Sequence, residues 1–117
     1  MDYKELFERE AAAFIENYPG NTITEDVALT PDMAGLKICD APIFNYGDAN
    51  DAMFETFLKE GIIGPHHFMP HQWLPSAKSV ISFFLPYTAQ VRTANKRHYT
   101  RPATEWLHAR IEGQEVV

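Results

Sequence analysis

Val80-Ile81-Ser82-Phe83-Phe84-Leu85, ended by Pro86, is the stretch on which the reading of this chain turns. It is β-branched and aromatic, and apolar everywhere except Ser82, which is the composition of a strand covered on both faces. The expectation is a sheet with this strand at its centre and helices around it. Tyr3, Leu6, Phe7, Ala11, Phe14, Ile15 and Tyr18 recur at helical spacing, with Lys4, Glu5, Glu8, Arg9 and Glu16 on the other side. Pro19-Gly20-Asn21 stops that run, so a first helix is predicted, docked on the sheet by its apolar stripe.

Working outward, residues 21–30 read as a short, partly polar strand with Ile23, Val27 and Leu29 available for burial. Leu36-Lys37-Ile38-Cys39-Asp40 alternates like a half-buried or edge strand, in which Cys39 packs as a small apolar group. Asp48 or Asn50 can cap a second helix whose face is Met53, Phe54, Phe57 and Leu58, closed by Gly61. A third helix should start at Thr100 or Arg101, with Pro102 in its first turn. Its apolar face would be Ala103, Trp106, Leu107 and Ile111, with His108 and Arg110 lying elsewhere. The predicted fold class is α+β, a mixed sheet flanked by helices.

At 117 residues the chain makes one domain at most, and 45% hydrophobic content marks a sequence that folds. No apolar run is long enough to cross a bilayer, and the charged start MDYKELFERE lacks the core of a secretory signal. Cys39 is the only cysteine, which excludes an internal disulfide and any all-cysteine metal site within the chain. A reducing, cytoplasmic setting is the default expectation.

Charge is unevenly spread. Residues 1–60 carry 13 acidic and 4 basic side chains, whereas residues 61–117 carry 3 acidic and 6 basic ones. Arg92, Lys96, Arg97 and Arg101 crowd into ten positions, with His98 and Tyr99 among them. This segment follows the Val80–Leu85 strand, and ligands of helix-covered sheets tend to sit beyond strand ends. A solvated surface loop and a site for a phosphate-bearing cofactor or RNA both match such a run.

Other motifs are weaker. His66, His67 and His71 fall within six residues, but Pro65 and Pro70 deny them a shared helical face, so an ordinary rigid loop is expected and no metal is assigned. The six glycines do not stand in G-x-G-x-x-G or P-loop spacing, and no nucleophile–histidine–acid order can be defended.

The segment Trp73-Leu74-Pro75-Ser76-Ala77-Lys78-Ser79-Val80-Ile81-Ser82 is similar to the lead-in of a strand in epoxyqueuosine reductase-like proteins, a group of iron–sulfur cluster-binding proteins. Asp40-Ala41-Pro42-Ile43-Phe44 and the stretch Trp106–Gln114 resemble a divergent branch of that group, and the likeness covers roughly residues 36–114. The resemblance implies a nitroreductase-like, corrinoid-binding N-terminal domain at residues 1–117, followed in a longer chain by a ferredoxin-like domain with 4Fe-4S clusters. It implies an oxidoreductase that reduces epoxyqueuosine in tRNA through cobalamin. The implied partners are that downstream domain and a tRNA or small-molecule substrate. Tyr87, Arg97, Tyr99 and Arg101 would line the ligand side, arginines on phosphate or propionamide groups and tyrosines over a ring face. No catalytic acid can be carried over. The alternative expectation is a non-catalytic binding or interaction module that uses the basic segment 92–101.

Overall fold

The computed structural model describes residues 2–117, and it is an α+β chain of five helices and two strands. In order these are α1 (Tyr3–Asn17), β1 (Ile43–Asp48), α2 (Met53–Phe57), α3 (Pro70–Trp73), β2 (Ser79–Phe84), α4 (Ala89–Ala94) and α5 (Thr104–Ile111). The chain divides into two compact units, one running to Ile43 and resuming at Phe84, the other spanning Phe44–Phe83. Among the described residues no helix is long and apolar enough to cross a membrane.

The first unit is built on an extended segment that the sequence ranks second. Leu36, Ile38 and Cys39 are buried, and they form the centre of a core completed by Ile15, Ile23, Met33, Val91, Ala109 and Val116. On one side Ile23 N–H donates to the Leu36 carbonyl at 2.9 Å, and Ile38 N–H to the Asn21 carbonyl at 2.9 Å. On the other, Thr88 N–H donates to Ile38 O and Asp40 N–H to Pro86 O, both at 2.9 Å. Residues 36–40 therefore lie between two extended neighbours, joined by single bridges rather than by a regular ladder.

Asn21 locks this arrangement. Its side chain is fully buried, and Oδ1 accepts the Cys39 N–H at 2.8 Å while Nδ2 donates to the carbonyls of Cys39 at 2.9 Å and Ile15 at 3.1 Å. One amide thus satisfies the end of α1 and both backbone groups of Cys39, which would otherwise be buried without partners. Gly113 closes the core from the far end of the chain. A methyl group there would stand 3.2 Å from Ile38 Cγ2, so a side chain at this position would make Ile38 give way by a few tenths of an ångström as the short turn Glu112–Glu115 approaches.

Several expectations are corrected here. The Val80–Leu85 run is not a covered central strand: β2 pairs only with β1, in a two-stranded antiparallel rather than mixed sheet, and Phe83 and Phe84 are 54% and 63% exposed. Of this run Leu85 packs on the core while Ile81, Phe83 and Phe84 stay exposed, so composition does not decide burial. Residues 24–30 turn instead of extending, with Val27 and Ala28 N–H both donating to Thr24 O. Helix α1 starts where expected, Asp2 accepting from Lys4 and Glu5 N–H, but of its stripe only Ile15 is buried and Tyr3 and Phe14 stay exposed. The third predicted helix begins at Thr104, two residues beyond Pro102, and α4 before it was not foreseen.

In the second unit Phe44 and Phe83 face each other across the hairpin with ring centroids 6.4 Å apart. Asp51, not Asp48 or Asn50, accepts the Met53 N–H at the start of α2. Pro70 opens α3 as its first residue, where a missing N–H costs nothing. His71 then braces the unit, its Nε2 lying 2.9 Å from Asn50 Oδ1 and its Nδ1 3.3 Å from the Pro75 carbonyl. The buried amide yields a direct test. Asn21→Ala should cost about 2–4 kcal/mol in urea unfolding, since three buried backbone groups lose partners at about 1–3 kcal/mol for each one left unsatisfied, offset by partial relaxation.

Candidate functional site

The expected ligand side lies in the first unit, on α4, α5 and the loop between them. Tyr87 bridges to Cys39 and its hydroxyl donates to the Ala109 carbonyl at 3.4 Å, so its ring is fixed between the core and α5. Thr88 follows, its hydroxyl donating to Lys37 O at 2.8 Å, and α4 starts from this anchored point. Val91 and Ala94 are buried inward from α4, which turns Arg92 outward.

Helix α5 does not bury the face its apolar residues suggest. Ile111 is exposed, and the buried positions are Glu105, His108 and Ala109. His108, 1% exposed, accepts the Leu29 N–H on Nε2 at 3.1 Å and donates from Nδ1 to Glu112 Oε2 at 3.1 Å. The acceptor role fixes the neutral tautomer with hydrogen on Nδ1. Glu105 meets Arg97 Nη1 at 3.3 Å. These two polar residues replace an apolar stripe as the contact by which α5 holds the chain, and a hydrophobic-periodicity reading passes over them.

The four predicted cofactor residues do not converge. Tyr87 lines a groove of about 590 Å³ together with Arg92, Asn95, Lys96 and Trp106. Arg97 and Arg101 share a separate polar hollow with His98 and Glu105. Arg101 also joins Tyr99 in a shallow hollow that includes Asn95, His98 and Trp106. Tyr99 is fully exposed, and Arg101 makes a 3.4 Å contact with His98 Nε2. Arg97 is already committed to a buried carboxylate, which makes it a brace more than a ligand for an incoming anion. Among the described residues Arg92, Lys96 and Arg101 have no carboxylate partner. Arg92 lies on α4 and Lys96 in the turn that follows it, and both line the same groove. Trp106 is the site residue that sequence reasoning missed; it had been assigned to the apolar face of its helix.

Donors for a metal are sparse. Among the described residues no group of three or more His, Cys, Asp or Glu comes together as a metal site. His66 and His67 line an aromatic hollow with Ile63, Phe68 and Trp73, the His67 ring set edge-on to Phe57, while His71 is taken up by Asn50 and Pro75. Cys39 is buried; burial first, and then the neighbouring Asp40 charge, pushes its thiol above the ordinary value of 9.0. Such a thiol is a packing group and not a reactive one. The donor set therefore does not fit an iron–sulfur cluster held by this chain. The four predicted residues line neighbouring hollows rather than one, Arg101 being shared by two of them and Trp106 joining the Tyr87 groove to the Tyr99 hollow.

Comparison with protein-family models, with curated proteins and with solved structures finds no match for this chain. The Arg97–Glu105 pair gives the prediction for this region. Arg97→Ala should lower stability by about 1–2 kcal/mol, since it leaves a buried carboxylate uncompensated while Arg97 itself is half exposed. Arg97→Ala with Glu105→Gln should recover part of that loss in thermal unfolding, and a double variant less stable than the single one would remove the brace assignment.

Proposed function

We propose that this chain is a ligand-holding module whose surface from Tyr87 to Trp106 binds a phosphate-bearing molecule, and that redox chemistry, where it occurs, belongs to other sequence. The single observation that carries this reading is the set of uncompensated cations, Arg92, Lys96 and Arg101, beside aromatic side chains on an anchored frame. The chain is acidic as a whole, at a formal −6, so three such cations gathered in one region are a local feature with a local use.

A second reading assigns the module to a cobalamin-dependent iron–sulfur reductase of the epoxyqueuosine reductase kind, with a nitroreductase-like domain, and it is supported by the likeness at Trp73–Ser82. On that reading the phosphate belongs to a corrinoid tail or to a tRNA, the 4Fe-4S clusters sit in a partner domain, and the setting is cytoplasmic. The buried, unpaired Cys39 accords with a reducing compartment.

The test is binding of cob(II)alamin, followed by its visible spectrum, alongside calorimetric titration with pyrophosphate. Binding of either should weaken about tenfold in Arg92→Ala, one charge-assisted contact being worth about 1.5–3 kcal/mol. A corrinoid spectrum that does not move removes the reductase reading. Failure of both compounds to bind removes the phosphate-binding one.

A further inference from the structure

We infer that the groove lined by Tyr87, Arg92, Asn95, Lys96 and Trp106 takes a nucleoside monophosphate unit, its base against an aromatic ring and its phosphate on Arg92 and Lys96. This rests on the phosphate-binding function proposed above and names the class of ligand. At about 590 Å³ the groove has the size of a small-molecule site. The Tyr87 ring packs on the core with its hydroxyl tied to Ala109 O, and among the described residues the Trp106 ring has no aromatic partner. Trp106 on the groove suits a flat heterocycle, because every base has a face to stack.

The polar groups complete the fit. Arg92 and Lys96 line the same groove, so a phosphate held there can take a charge-assisted bond from each. Asn95, which lines the groove, accepts the Ala103 N–H on Oδ1 at 3.4 Å and keeps its Nδ2 as a donor. A donor in that place can meet a ring nitrogen, a carbonyl or a phosphate oxygen. The hollow around Tyr99, Arg101 and Trp106 sets aromatics beside one arginine, whereas this groove brings two cations, Arg92 and Lys96, to Tyr87 and Trp106. The one around His66 and Trp73 has aromatic walls but neither lysine nor arginine, and the one around Arg97 and Arg101 contains the Glu105 carboxylate.

The test uses Trp73→Phe, which leaves Trp106 as the only tryptophan. Adenosine monophosphate should quench Trp106 emission saturably, with ribose 5-phosphate and adenosine each binding at least about tenfold more weakly, as stacking worth about 1–3 kcal/mol per base requires. Arg92→Ala with Lys96→Ala should weaken adenosine monophosphate at least as much, while Lys59→Ala, in the other unit, should not. A trinucleotide that competes more tightly than the mononucleotide assigns the unit to a strand; equal or weaker competition assigns it to a free nucleotide. Ribose 5-phosphate binding as tightly as adenosine monophosphate overturns the base contact and leaves the phosphate function standing. Quenching that survives the Arg92 and Lys96 changes overturns the site, and failure of adenosine monophosphate, ribose 5-phosphate and pyrophosphate alike overturns both the inference and the function beneath it.

Discussion

The Asn21 side chain is the constraint on which the larger unit depends. It is a fully buried amide whose oxygen and nitrogen are both used, and every partner is a backbone group that has no other means of being satisfied there. Because it grips Cys39 from both its N–H and its carbonyl, it sets the register of residues 36–40 against the end of α1. That register in turn receives Pro86 and Thr88, and through them the start of α4. An interior polar group of this kind is high-stakes: satisfied, it selects one arrangement, and unsatisfied it costs more than an apolar replacement would. The position of Tyr87 and of the basic segment is therefore inherited from a contact made by a residue some sixty-five positions earlier in the chain.

How much of this was legible in the sequence varies by element. The α+β class, the first helix with its stop at Pro19-Gly20, and the start of a second helix near Met53 follow from local chemistry, although Asp51 takes the capping role there and the helix ends at Phe57, short of Gly61. The sheet was read wrongly in its ranking. Val80–Leu85 has the stronger strand composition, yet it is Ile38, between a lysine and a cysteine, that is completely buried, while Ile81, Phe83 and Phe84 are exposed. Composition reports what a segment tolerates; burial depends on which neighbours reach it, and Asn21, Thr88 and Gly113 decide that from distant positions. Helix α5 illustrates the same limit, since a stripe of Trp106, Leu107 and Ile111 outranks Glu105 and His108 on any hydrophobic scale. Those two are buried nonetheless because Arg97, Leu29 N–H and Glu112 supply their partners.

The candidate site was legible as a region and not as a constellation. Charge crowding located residues 92–101 beside an aromatic strand end, but it could not tell the brace from the free cations. Only the pairing of Arg97 with Glu105 separates them. Trp106 enters the site because α4 packs on α5, a tertiary fact without a local signal. The smaller unit poses the converse case: Ile62, Ile63, Phe68, Trp73, Leu74, Ile81 and Phe83 are all exposed, and a lone two-stranded sheet is marginal without a covered face. Its ring contacts and the His71 brace organise it locally, while the larger unit owns the core.

Native-state amide hydrogen exchange reads that division most directly. The N–H groups of Ile23, Ile38, Cys39 and Thr88 should be the slowest to exchange among the extended segments, and slower than those of Ile81, Ser82 and Phe83, because the Asn21 lock opens only with the whole unit. Faster exchange at Cys39 than at Ile81–Phe83 would contradict the account, for it would place the rigid centre of the molecule in β2 and not around the buried amide.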